Sequence, residues 1–149
     1  MRWVTRDRIK VDRVACPWLI SRFIDAEADF VFVPPQEVDA FAQTTGAVPF
    51  DVAGADIGHH GDRCSFDALL DKYEMDDPAL RRLALIVRGA DTDARELCPE
   101  AAGLHAVAVG FSALSPSVYR DDHALLRVEF PIYDALYEWC KREVGEHPL

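Results

Sequence analysis

The spacing of apolar and polar residues divides the chain into a first third with short strands and a remainder dominated by helices. Short runs of β-branched and aromatic residues predict strands at residues 2–5, 29–33 and 47–52. Pro49 indicates an edge or irregular position for the third strand. Apolar residues at helical spacing predict helices at residues 13–24 and 35–43. The segment 29–52 is therefore either a compact β-α-β crossover or part of a small mixed sheet.

Helical periodicity dominates the chain after residue 64. Four further helices are predicted, beginning near Ser65, Pro78, Pro99 and Asp121. The helix from Pro99 has small apolar residues on both sides, which predicts a central, largely buried position. The last helix runs to about residue 144 and is expected to bend or break at Pro131. These elements predict an α+β fold in which a small mixed β-sheet in the N-terminal third is covered by a helix-rich C-terminal half.

The composition is typical of one globular domain, which we assign to residues 1–149. The chain is 50% hydrophobic and 28% charged. It contains no apolar run near the roughly 18 residues that cross a bilayer, and its first residues lack the apolar core of a signal peptide. Its four cysteines form no C-x-x-C pair, which indicates free thiols. We therefore expect a cytoplasmic protein without membrane contact.

The charge balance argues against nucleic-acid binding. The 26 acidic and 16 basic residues give a net charge of -10, and such a surface repels phosphate backbones. Basic residues cluster only within the first 13 positions, where they form a local positive end that suits a small anion. We expect no specific DNA binding by this chain alone.

Metal-capable side chains are concentrated in GADIGHHGDRC, residues 54–64. The three glycines of this segment allow the backbone to fold tightly around a ligand. Imidazole together with thiolate or carboxylate groups suits zinc and other divalent transition metals. Adjacent His59 and His60 point in different directions, so at most one of them serves a single centre. The spacing matches no established metal motif, and a solvated glycine-rich loop is the alternative interpretation.

Cys16 is the candidate nucleophile. Pro17 fits only near the start of a helix, which places Cys16 close to the N-cap. Arg6, Arg8 and Arg13 are near it in sequence. A helix dipole and positive charge both favour a thiolate, so we expect Cys16 to have the lowest thiol pKa of the four cysteines. A buried structural cysteine is the alternative.

Arg22 falls on the face of the first predicted helix that should be buried. A buried guanidinium needs a carboxylate or a bound anion. One interpretation is an internal salt bridge, with Asp51 or Asp91 as candidate partners. The other is an anion-binding role, which Arg22 would share with Arg13.

Six segments of the sequence resemble the ChrB C-terminal domain family. They are DRVACPWLISRFID (12–25), FVPP (32–35), PFDVAGADIGHHGDRCSFD (49–67), DPALRRLALIVRGAD (77–91), PEAAGL (99–104) and YDALYEWC (133–140). The resemblance covers nearly the whole chain, in order. The family is associated with bacterial chromate resistance, so the resemblance implies a cytoplasmic factor that regulates or supports the chromate response.

The resemblance also implies a shared site. That site would be built from His59, Cys64 and Asp91 beside the helix start at Cys16, with His59 as the first ligand of a divalent transition metal ion. Regulators of this family carry a further N-terminal region thought to contact DNA, and the resemblance here begins at Trp3. We therefore expect that region to be absent.

Three classes of function follow from these observations. The first is a sensor or accessory domain that binds a metal ion or an oxyanion such as chromate. The second is a metal-dependent or thiol-dependent redox enzyme of the chromate response. The third is a component of a transcriptional regulator that needs a partner protein for DNA binding.

Overall fold

The fold is known from a computed structural model that describes residues 1–145. Its strands are β1 (Arg2–Arg6), β2 (Asp29–Val33) and β3 (Val48–Pro49). Its α-helices are α1 (Asp12–Leu19), α2 (Val38–Thr45), α3 (Ser65–Lys72), α4 (Pro78–Asp91), α5 (Pro99–Leu114) and α6 (Asp122–Glu143). A π-helical segment (Ile20–Ile24) extends α1, and 3₁₀ turns precede α2 (Pro35–Glu37) and α5 (Arg95–Leu97). The predicted α+β class with a helix-rich C-terminal half is confirmed.

The three strands form one parallel sheet in the order β2-β1-β3. The predicted β-α-β crossover of residues 29–52 is present, because α2 carries the chain from β2 over β1 to β3 on the far side. The sheet is parallel rather than mixed, since a helix crosses the sheet between each strand and the next, and such crossovers return the chain in the same direction. Pro49 lies in the two-residue edge strand β3, where a missing N–H is tolerated.

The core lies between the sheet and the helices α1, α3, α4 and α6. Trp3 and Val4 point to opposite faces of β1. Trp3 packs into the main core with Trp18, whereas Val4 joins a smaller apolar cluster with Val38 beneath α2. Both faces of β1 are therefore buried. Within residues 1–145, no helix combines the length and the hydropathy needed to cross a membrane.

One expectation about a helix was wrong, and a second was wrong in part. The helix α5 is not central: it buries only Ala101, Leu104 and Ala108, while Val107 and Val109 are 40% and 46% exposed. Small apolar residues on all sides do not distinguish a buried helix from one that exposes an apolar face. The helix α6 does not break at Pro131 but continues through it to Glu143.

Candidate metal centre

The candidate site lies at the carboxyl-terminal edge of the parallel sheet. Arg6 is the last residue of β1, and Asp51 follows shortly after the end of β3. Asp12 begins α1, the helix that follows β1. Polar side chains at the carboxyl ends of parallel strands commonly form ligand sites, because loops and helix starts meet there.

The loop between β3 and α3 brings a histidine to this edge. Asp51 adopts a left-handed conformation with a φ of 49°, and its N–H donates to the carbonyl of Ile57 at 2.7 Å. A Cβ atom on Gly58 would lie 2.9 Å from the carbonyl oxygen of Ala55, so the turn requires glycine at this position. His59, the next residue, is thereby held over the ends of the strands.

The Nε2 atom of His59 is surrounded by three carboxylates. It lies 3.0 Å from Asp91 Oδ2, 3.3 Å from Asp51 Oδ1 and 3.5 Å from Asp12 Oδ2. The ligand atoms of Asp12, His59 and Asp91 all lie within 4.8 Å of one another. The expected convergence of the loop on Asp91 is present, and it includes two further aspartates.

Backbone groups fix two of these carboxylates. Asp12 is 1% exposed, and its two carboxylate oxygens accept from the N–H groups of Ser65 and Phe66 at 2.7 and 3.2 Å, in the first turn of α3. Asp91, the last residue of α4, accepts from the Asp12 N–H at 3.3 Å through Oδ1 and keeps Oδ2 towards His59. The starts of α1 and α3 and the end of α4 therefore meet at one carboxylate pair.

Asp51 is held by side chains instead. The Ser65 hydroxyl donates to its Oδ1 at 2.7 Å, and guanidinium groups of Arg6 and Arg13 each donate to its Oδ2 at 3.2 Å. Arg13, a predicted anion-binding residue, is thus at the site, where it contacts a carboxylate of the protein. Its Nε is buried without a hydrogen-bond partner among the described residues.

The electrostatics of the site favour a cation at its centre. Hydrogen bonding to Asp12 and Asp51 raises the pKa of His59 to about 10, so the imidazole carries a proton when no other cation is present. Burial, reinforced by repulsion from Asp51 and Asp91, raises the pKa of Asp12 to about 7 despite the opposing contact with His59. Burial also raises the pKa of Asp51, but His59, Ser65 and the two arginines outweigh it and hold that pKa well below the usual range.

The two predicted cysteines do not join this group of ligand atoms. Cys64 is the N-cap of α3, and its thiol donates to Asp67 Oδ2 at 3.3 Å. Burial and the nearby Asp12 and Asp67 carboxylates raise the pKa of the Cys64 thiol far above its usual range. The geometry therefore does not support Cys64 as a metal ligand, because its side chain caps helix α3.

The expected position of Cys16 was wrong. The helix α1 begins at Asp12, so Cys16 lies in its second turn and Pro17 lies inside the helix. Cys16 is fully buried, its thiol donates to Asp12 Oδ1 at 3.6 Å, and burial and the carboxylates raise its pKa well above the usual value. The physical basis for a reactive thiol at Cys16 is therefore absent.

Arg22 is also placed differently from the expectation. It is 42% exposed rather than buried, and it forms a two-pronged salt bridge with Asp134 at 3.0 Å to each oxygen. The internal salt bridge was the correct kind of explanation, but the partner is neither Asp51 nor Asp91. Arg22 does not contact Asp12, Asp51 or Asp91.

The metal centre contains three residues that were not predicted as its members: Arg6, Asp12 and Asp51. Asp12 is the first residue of a helix that follows a strand, and Asp51 follows the third strand. In a parallel sheet these positions meet at one edge, so the order of strands and helices was the signal that could have identified them.

This fold and this centre define an α+β domain with an acidic, histidine-containing candidate metal site. Residues 3–140 match the family model described as ChrB, C-terminal domain, so the chain belongs to that family. Protein ChrB of Cupriavidus metallidurans is 38% identical to it over 137 residues, which cover 91% of this chain and 40% of that protein. The chain thus spans well under half of this relative's length. No solved structure matches the chain significantly.

Proposed function

We propose that this domain binds a divalent transition metal ion through Asp12, His59 and Asp91, as a sensor or accessory domain of the chromate response. The observation that carries the proposal is the convergence of three carboxylates on the Nε2 atom of His59. The family's association with chromate resistance supports placing the site in that response.

The spacing of the ligand atoms fits a shared metal ion. Metal–ligand bonds of about 2.1 Å separate neighbouring ligands by about 3.0 Å in an octahedron and about 3.4 Å in a tetrahedron. His59 Nε2 lies 3.0 Å from Asp91 Oδ2 and 3.5 Å from Asp12 Oδ2, and the three ligand atoms all lie within 4.8 Å of one another. A single Nε2–H donates one strong hydrogen bond, and Asp51 is already paired with two arginines. Apart from His59, Asp12 accepts only from neutral groups, two backbone N–H groups and the Cys16 thiol, so a divalent ion would supply the positive charge that this carboxylate lacks.

The donor set indicates which ions are suitable. One imidazole nitrogen with two or three carboxylate oxygens suits Mn²⁺, Fe²⁺ or Zn²⁺, whereas Cu⁺ prefers the thiolates that this site lacks. Arg6 and Arg13 neutralise part of the charge of Asp51, so Asp12 and Asp91 remain the principal anionic ligands. Their backbone hydrogen bonds would orient both carboxylates towards the ion.

One side of the centre is open. The side chain of His59 is 44% exposed and borders a cavity of about 380 Å³, whose lining includes Arg6, Asp51 and His60. This cavity provides a route for the ion and room for a further ligand, such as water or an oxyanion, in an open coordination position. A metal-dependent enzyme is therefore the second candidate function. A thiol-dependent enzyme is less well supported, because Cys16 is buried.

Adjacent histidines provide the test. We expect His59→Ala to weaken binding of Mn²⁺ and of Zn²⁺, each measured by calorimetry, by more than about a hundredfold, since ligand shells are sensitive to such losses. His60→Ala is the matched control, because His60 Nε2 contacts the carbonyl oxygen of Asp56 and not the cluster. Asp91→Asn should weaken binding as well. Equal affinity of wild type and His59→Ala, or an equal loss in His60→Ala, would contradict the proposal.

A further inference from the structure

The cavity beside the metal centre is bordered by a candidate metal ligand, His59, and by a positively charged side chain, Arg6. The rest of its lining comes from His60 and from residues 51–56, which include two aspartates. Its volume of about 380 Å³ lies in the range of small-molecule sites. The charges around the cavity therefore determine which kind of small molecule it can take.

Arg6 and His59 contact the two oxygens of the same carboxylate. Asp51 Oδ2 accepts from Arg6 Nη2 at 3.2 Å, and Asp51 Oδ1 lies 3.3 Å from His59 Nε2. The guanidinium and the imidazole are therefore neighbours at the carboxyl-terminal edge of the sheet. Because both border the cavity, one small ligand can reach both.

The guanidinium of Arg6 is held on one edge and free on the other. Its Nε donates to the carbonyl oxygen of Asp51 at 3.0 Å, and its Nη2 donates to the carboxylate of the same residue. Its Nη1 has no hydrogen-bond partner among the described residues, and the side chain is 37% exposed. An arginine that the protein orients in this way is suited to bind an oxyanion with its free edge.

The two aspartates of the lining differ in how far their charges are offset. The Oδ1 of Asp51 accepts from the Ser65 hydroxyl and its Oδ2 accepts from two arginines, so its charge is balanced within the protein. Asp56 is exposed, and water and salt screen its charge. The N–H groups of residues 53 and 54 donate to no acceptor in the part of the chain that the structure describes. The lining therefore offers a guanidinium and unpaired backbone N–H groups to a ligand.

A metal ion would change the sign of the charge beside the cavity. The three carboxylates around His59 outnumber the arginines Arg6 and Arg13, and a proton on His59 does no more than balance them. A divalent ion bound to neutral His59 instead leaves one net positive charge. The proposed ligands also leave coordination positions open. An anion is therefore attracted to this cavity mainly when the ion is bound.

We propose that the cavity binds a small oxyanion that bridges the metal ion and Arg6. One oxygen of the anion takes an open coordination position of the ion, and another accepts from Arg6 Nη1. This inference rests on the metal site proposed above and adds the class of ligand and the residue that recognises it. The carboxylate of a small organic acid and a tetrahedral oxyanion share this chemistry. Ion and anion should each raise the affinity of the other by the same factor.

Calorimetric titration of acetate and of sulfate tests the inference, with and without a saturating amount of Zn²⁺ or Mn²⁺, whichever binds the wild type more tightly. We expect at least one of the two anions to bind the metal-loaded protein about tenfold more tightly than the metal-free protein. Arg6→Gln should weaken anion binding to the loaded protein by about tenfold or more, because a charged hydrogen bond is lost. Arg6→Lys should retain part of that affinity. Metal binding should become tighter in Arg6→Gln, because a positive charge near the ion is removed.

Arg2→Gln is the matched control, because Arg2 lies at the other end of β1 and pairs with Asp29. It should leave the metal and anion affinities unchanged. If the metal binds but neither anion binds the loaded protein more tightly, or if Arg6→Gln binds the anion as the wild type does, the inference is wrong while the metal site stands. A parallel loss of metal and anion affinity in Arg6→Gln would show a purely structural role and would also overturn it. Failure of the wild type to bind either ion would contradict both the metal site and this inference.

Discussion

Glu129 is an ionisable residue in the core whose effect on stability can be calculated. It lies on α6, one turn before the buried Tyr133, and is 3% exposed. Its carboxylate has no hydrogen bond within the described part of the chain, and burial raises its pKa from the ordinary 4.5 to about 7. The folded protein therefore prefers the protonated acid, while the unfolded chain prefers the carboxylate.

The sign of the pH dependence follows from these two values. Below pH 4.5 the side chain is protonated in both the folded and the unfolded state, so it does not oppose folding. Stability is lost progressively as the pH rises from there through the folded-state pKa of about 7. Between pH 5.5 and 8, Glu129 should lower the free energy of unfolding by about 2 kcal/mol. Glu129→Gln has nearly the same shape and cannot ionise, so it removes this loss.

Urea unfolding of wild type and Glu129→Gln at pH 5.5 and pH 8 measures the effect. The stability advantage of the variant should be about 2 kcal/mol larger at pH 8 than at pH 5.5. Glu138→Gln is the control, because Glu138 lies on the same helix but is 60% exposed, and its effect should not change with pH. The reasoning is refuted if the difference between Glu129→Gln and wild type is the same at both pH values.

Two further predictions concern the turn at Gly58 and DNA binding. Gly58→Ala should lower the free energy of unfolding by about 1–3 kcal/mol, because its Cβ would meet the Ala55 carbonyl oxygen, whereas Gly103→Ala in exposed α5 should raise it by about 0.5–1 kcal/mol. Denaturant titration decides both, and an equal response at the two positions would show that the close approach is unimportant. The isolated domain should not distinguish the promoter of its own operon from an unrelated duplex at moderate salt, because the chain is acidic and the arginines of α4 are all paired with carboxylates. Sub-micromolar, sequence-selective binding in a fluorescence anisotropy titration would contradict this.

Local patterns predicted most of the fold. The helix starts at Pro78 and Pro99 could be predicted, because proline at the first helical position and a cap before it are local signals. The exposure of α5 could not be predicted from the sequence, because it depends on which face of the helix packs against α4. The start of α1 at Asp12, which leaves Cys16 and Pro17 inside the helix, involves contacts of Asp12 with α3 and α4, far away in sequence.

The candidate site was predicted in part. His59 and Asp91 were identified from residue chemistry and family motifs, and they lie 3.0 Å apart in the structure. Cys64 matched the same motifs, but motif membership does not separate a ligand from a helix cap. Asp51 was missed as a neighbour of His59 because only the parallel strand order brings the ends of β1 and β3 together.

The metal content of the tag-free protein tests the central proposal most directly. Protein purified without a metal-affinity tag, then supplemented with Mn²⁺, Fe²⁺ or Zn²⁺ and desalted, should retain about one equivalent of one of these ions by elemental analysis, and His59→Ala should lose it. Less than about a tenth of an equivalent in the wild type, before and after supplementation, would contradict a metal centre. Retention of the same amount by His59→Ala would place any bound metal elsewhere.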